Sequence, residues 1–272
     1  MKSMKCAMES VRKYNVKDVM ITLWGDDGKE CSFFSTLPAL YAIRQYADGN
    51  FDEGKIAEDF YNLFYVSFFD FMALDIANGE MVLKGRNGEE FPQNPCKSLL
   101  FNDPFLGGMD KVVEEEAPIH YKEYALRLRE IQHRAGEYAY IFEMEADLCE
   151  LLSLKADLGV RTRKYYQSGD KKAIKKIIKD YKKVSKLLEK FQCSFTYLWN
   201  KENKPYGLEV QEIRLGGLAL RVRSCREKLQ AYINGKIDRI EELEEEILSE
   251  NPNWHFYCNR YQHLATFGLL SE

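Results

Sequence analysis

From Ile119 to Gln167, apolar side chains recur at alternating steps of three and four. Tyr121, Tyr124, Leu128, Ile131, Ala135, Tyr138, Phe142, Cys149, Leu152 and Ala156 fall on one stripe, and only the step at Glu145 is polar. That period predicts helix, and a stripe this long predicts a bundle or antiparallel coiled-coil face. Gly136 is a candidate break into two helices. Gly169-Asp170 restarts the pattern, and Ile174, Ile177, Ile178, Tyr181, Val184, Leu188, Phe191, Phe195 and Leu198 form a second stripe. The opposite face carries nine lysines between Lys171 and Lys190. It has no arginine and no aromatic residues between the charges, so it reads as a solvated helix face rather than a nucleic-acid surface.

After the turn Asn203-Lys204-Pro205-Tyr206-Gly207, a further helix is predicted from about Leu208 to Asn234. Gly216-Gly217 interrupts it and suggests close approach of another helix. Arg214 and Arg221 lie seven apart and share a face, where they either clamp carboxylates or are simply wet. Ile237 to Leu248 reads as a short acidic helix, and the aromatic tail from Asn251 to Glu272 as a docked segment.

The N-terminal pattern is different. Ser3 to Tyr14 is helical in period, and Val16 to Trp24 reads as a strand. A polar turn follows. Ser35 or Thr36 then caps a helix that runs to about Asp48-Gly49. Helix, strand, loop and helix form one unit of α/β-barrel grammar, present here only once. Asp52 to Ala77 predicts two helices, and Gly79 to Pro118 a long irregular segment. The expected fold is mainly α: a multi-helix bundle domain, residues 49–272, preceded by a remnant of a (β/α)8 barrel, residues 1–48.

Composition narrows the class. The 272 residues are 45% hydrophobic with net charge −4, enough for a full core and with no global pull toward nucleic acid or acidic membrane. Seven cysteines at wide spacing, without a CxxC pair, indicate idle thiols in a reducing compartment. No secretory h-region and no membrane-length apolar run is visible, so the expected location is cytoplasmic. His120, His133, His255 and His263 lack ligand spacing, the Asp26-to-Glu30 acids miss the EF-hand register, and no phosphate loop occurs. No metal or cofactor is implied.

The chemistry is placed on Val19 to Glu30. In strand geometry Trp24 and Asp26 leave the strand end on the same side. An indole beside a carboxylate suits a sugar ring, which stacks its C–H face on the aromatic plate and donates hydroxyls to the acid.

Four stretches carry a resemblance: Trp24-Gly25-Asp26-Asp27-Gly28-Lys29-Glu30-Cys31, Asn102-Asp103-Pro104-Phe105-Leu106-Gly107-Gly108, Asn203-Lys204-Pro205-Tyr206-Gly207-Leu208-Glu209-Val210 and Ile213-Arg214-Leu215-Gly216-Gly217-Leu218. In that order they resemble the C-terminal part of family 20 glycoside hydrolases, in the β-N-acetylhexosaminidase subgroup with an all-helical domain after its barrel. The resemblance implies that residues to about Asp48 are the seventh barrel helix, the eighth strand and the eighth helix. It implies that Trp24 packs on the N-acetylhexosamine ring and that Asp26 accepts from its distal hydroxyls. Asp26 stands where glutamate is common, and Glu30 assists or holds the loop. The family is retaining and substrate-assisted, and its catalytic Asp-Glu pair belongs to the fourth strand. No such strand is found here, so this chain alone is expected to be inactive, with no catalytic residue of its own. The implied partners are an N-acetylhexosamine-containing glycan and a complementing barrel polypeptide or a second copy. The competing expectation is a non-enzymatic helical interaction or oligomerisation module.

Overall fold

The computed structural model describes residues 2–25, 28–79, 81–83, 94–247 and 261. Its helices are α1 (Lys2–Lys13), α2 (Leu37–Ala47), α3 (Glu53–Phe64), α4 (Phe68–Met72), α5 (Pro95–Phe101), α6 (Ala117–Gln132), α7 (Ala139–Lys155), α8 (Leu158–Gln167), α9 (Lys171–Glu202), α10 (Leu208–Ile233) and α11 (Glu241–Glu244). Short 3-10 turns join some of them. Among the described residues there is no strand, only an isolated antiparallel bridge between Leu83 and Val113.

The two long stripes build the body. The first becomes α6 and α7, folded back on each other through the turn at Gly136, whose φ of +54° suits glycine. The second becomes α9, which at 32 residues spans about 48 Å. Asp170 caps it by accepting from the Lys172 and Ala173 amides. Every predicted apolar position from Ile174 to Leu198 is buried except the half-buried Ile178, and all nine lysines face out. Helix α7 lies between α6 and α9, and α9 packs in turn on α8 and α10. Phe142, Leu128, Tyr121, Tyr181 and Val184 are fully enclosed at the centre.

The N-terminal helices join the same core. Tyr41 on α2 meets Phe60 on α3 edge-to-face at 5.6 Å, and Tyr46 stacks on Phe51 at 5.0 Å. Residues 16–24, the predicted strand, form no ladder among the described residues. Val16, Val19, Met20, Ile21, Leu23 and Trp24 are all exposed there. The physical reason is that no neighbouring strand among the described residues takes up its backbone groups.

Other differences are local. The segment from Gly79 to Pro118 contains α5, a seven-residue helix that opens with Pro95 at its first turn. The acidic helix is shorter than its pattern, Glu241–Glu244, within a run of like charges. Among the described residues nothing lies within 4 Å of a Cβ built at Gly216, and one built at Gly217 would lie 3.7 Å from the Tyr261 hydroxyl. Asp26, residues 84–93 and, apart from Tyr261, the tail from Asn251 lie outside the described residues. No single described helix is long and apolar enough to cross a membrane.

A buried polar network fixes the Asn102-to-Gly108 stretch. Asp103 accepts from the Phe105 and Leu106 amides and pairs with Arg221 at 2.6 and 3.1 Å. Burial raises the Asp103 carboxyl, but the Arg221 guanidinium and the two amides outweigh it and hold the acid below its usual range. Asn102 donates to Asp110 at 3.0 Å, and Lys155 donates to the Leu99 and Asn102 carbonyls at 2.8 Å, closing the C-terminal end of α5. Arg163 donates to the carbonyls of Phe105, Glu242, Leu243 and Glu245 and so ties α11 to this loop.

Burial pushes Asp110 up to about 6, against the Asn102 hydrogen bond and the nearby Arg163 and Lys155 cations. A folded-state pKa above the unfolded value means stability falls as pH rises from about 4 to 6. Asp110→Asn removes that dependence. In urea unfolding at pH 4 and pH 7, the variant is expected to gain on wild type by on the order of 2 kcal/mol at the higher pH.

Candidate functional site

With no ladder to hold it, the turn after Trp24 is positioned by side chains. Gly28 has φ +117°, and a Cβ there would lie 2.5 Å from Gln211 Nε2 and 2.7 Å from Arg214 Nη1. The positive φ is what calls for glycine here, and the two side-chain tips use the open space it leaves. Gln211 uses the approach to donate to the Gly28 carbonyl at 2.8 Å.

Glu30 is the main anchor. One carboxylate oxygen lies 2.8 Å from Lys97 Nζ on α5, and the other 3.3 Å from Arg214 Nη1 on α10. Lys97 is buried and Glu30 half-buried, so this clamp works largely out of solvent. Lys29, at φ +52°, turns the other way. It donates to Asn203 Oδ1, stands 4.0 Å from Glu202 Oε2 and lies over the Phe33 ring at 4.3 Å. Burial lowers the Lys29 ammonium from its usual value, and the Glu202 charge opposes that shift. Ser32 donates to Glu202 Oε1 at 2.5 Å, and the Tyr140 hydroxyl donates to the same oxygen at 3.0 Å. Burial and the Glu202 carboxylate together raise the Tyr140 phenol.

Behind the turn is a cavity of about 510 Å³. Trp24, Lys29 and Glu30 line one side of it. Phe71, Leu100, Ile141, Phe191 and Phe195 supply apolar walls. Glu145 reaches the cavity from α7, and Asp75 and Asn78 from the 3-10 turn after α4. Cys96 donates from its Sγ to Asn78 Oδ1 at 2.9 Å. The Glu145 carboxyl is pushed up to about 7, first by burial and then by the charge of Asp75.

Of the three residues singled out in the sequence, the structure places two. Trp24 is 79% exposed, and its indole N–H donates to Thr22 Oγ1 at 3.1 Å. Glu30 is committed to ion pairs and holds the loop. Asp26 lies outside the described residues. Arg214 and Arg221 both clamp carboxylates, which resolves that alternative. Lys97, Asn78 and Asp75 carry no periodic signal and were not legible. Glu145 was visible as the polar step in its stripe, but the reason for it, a cavity, was not.

The family model described as Glycoside Hydrolase 20C C-terminal domain matches residues 69–259. No curated protein matches the chain. The matched span includes Lys97, Glu145, Glu202, Gln211 and Arg214, all but one of which grip the turn, while the turn itself precedes it. Glu30→Gln weakens the clamp while keeping the side-chain shape. Amide exchange at residues 28–32 is expected to accelerate about tenfold, with α9 unchanged, because roughly 1–2 kcal/mol of charge-assisted bonding is lost.

Proposed function

The chain belongs to the glycoside hydrolase 20C C-terminal domain family, and from that premise we propose that it is the C-terminal portion of a β-N-acetylhexosaminidase-like hydrolase. In this reading residues 1–48 are the last barrel units and residues 49–272 the helical domain. Trp24 packs on the N-acetylhexosamine ring, Asp26 accepts from its hydroxyls, and Glu30 keeps the turn in register with the helices. The acid–base pair comes from barrel strands on polypeptide other than these 272 residues, and the protein works in the cytoplasm.

The observation that carries the reading is the bare indole of Trp24. A large aromatic exposed at a cavity mouth, on a turn held by ion pairs, is a preorganised stacking surface. The family's helical domain supplies the clamp and so gives the turn a reason to be fixed.

A second reading is favoured by the exposed apolar stretch from Val16 to Leu23. It borders a groove of about 620 Å³ lined by Met8, Val11 and Leu40. In a non-enzymatic module this surface is the contact between copies.

Mixing the chain with a polypeptide carrying the remaining barrel strands separates the two. The hydrolase reading expects turnover of a chromogenic N-acetylglucosaminide on mixing and none from this chain alone. The module reading expects no turnover, with self-association persisting. Trp24→Ala is expected to lower kcat/KM of the mixture by about 10- to 100-fold, a loss of roughly 1–3 kcal/mol of stacking. Its thermal midpoint should stay within a degree or two, since surface changes shift stability little.

A further inference from the structure

The cavity's inner wall has chemistry that a sugar-stacking tryptophan does not explain. Glu145 interrupts an otherwise apolar stripe and opens onto a space of about 510 Å³. Among the described residues no hydrogen bond or ion pair engages its carboxyl. Asp75 stands on the 3-10 turn after α4, Cys96 on α5, Tyr121 on α6, Cys149 one helical turn along α7, and Cys31 beyond the anchored turn. All of these are acids or weak acids. The cations that line the cavity, Lys29 and Lys97, are directed to Glu202 and Glu30.

A carboxyl facing a largely apolar cavity, with a second carboxyl nearby and no cation among the described residues acting on it, is held partly protonated and becomes a full anion most readily when a cation joins it. Asp75 is exposed, so it stands where the cavity meets solvent. The walls between are aromatic and aliphatic: Phe71, Leu100, Ile141, Met144, Phe191 and Phe195. Acid within, acid at the opening and hydrocarbon between is the complement of one ligand class.

We propose that this cavity binds a small molecule with an apolar body and a protonated amine, the ammonium pairing with Glu145 and Asp75 guiding its entry. The proposal rests on Glu145 and the sugar reading on Trp24, so either can fail without the other. No covalent step is involved. The ammonium supplies the missing countercharge, and the apolar body displaces water from the hydrocarbon walls.

The test is calorimetric titration of the full chain with 2-phenylethylamine and with 2-phenylethanol, which share a body and differ in charge. The amine is expected to bind at least about tenfold tighter at pH 8. Its affinity should fall about tenfold at pH 6, because only the ionised fraction of Glu145 is competent. Glu145→Gln, which removes an unpaired acid from the interior and so should fold, is expected to abolish both the preference and the pH dependence. Asp75→Asn, an exposed change, should weaken amine binding severalfold. Equal affinity for the two probes, no binding of the amine at millimolar concentration, or an unchanged preference in Glu145→Gln would each overturn the proposal.

Discussion

Among the described residues between Asn15 and Ser32 there is no helix and no ladder, and residues 28–32 are held by side chains reaching across from the helical body. Glu30 is the centre of that arrangement. It is drawn to Lys97 on one side and to Arg214 on the other, and both cations sit on helices that the core already fixes. Lys29 and Ser32 add a second attachment at Glu202, at the end of α9. Gly28 lets the chain pass close enough to α10 for Gln211 to hold its carbonyl. Residues 28–32 are therefore fixed from the C-terminal two-thirds of the chain, while the Trp24 indole itself bonds to its near neighbour Thr22.

The helical body supplies that support through two kinds of bonding. Apolar stripes on α6, α7 and α9 bury side chains such as Leu128, Phe142 and Tyr181 and contribute most of the folding energy. Buried ion pairs add little net stability, but they fix register between loops and helices. Arg221 with Asp103, and Arg163 with four carbonyls, lock the Asn102-to-Gly108 loop and α11 against α8 and α10. The same device, a cation on a helix holding an irregular segment, recurs at the Trp24 turn.

Helices of the bundle could be read from the sequence because their burial is one-sided and repeats at 3.6 residues. The stripe from Ile174 to Leu198 came out almost position for position. Helix α5 could not be read, since seven residues give barely two turns and its buried positions include Lys97 and Ser98. Val16 to Trp24 has strand-like residues but finds no ladder among the described residues, because a strand is a property of a pair. At the candidate site, residue type and family resemblance singled out Trp24 and Glu30, and the structure shows Glu30 as an anchor of the turn. The partners of Glu30 were not legible, because Lys97 and Arg214 lie far from it in sequence and meet it only in three dimensions. Glu145 shows the limit well: pattern marks it as unusual, and only the fold shows it beside a cavity.

Membership of the family places this chain among C-terminal domains of glycoside hydrolases, and the anchored turn gives the helical domain a physical task there. The central claim is that the body holds Trp24 ready to stack on a sugar. Its most direct test is the nitrogen–proton NMR spectrum of the full chain titrated with N-acetylglucosamine, reading each indole N–H separately. A saturable shift of the Trp24 indole is expected while Trp199, whose N–H is bonded to the Lys204 carbonyl, stays still. A Trp24 signal unmoved up to millimolar sugar, or a shift confined to Trp199, would contradict it.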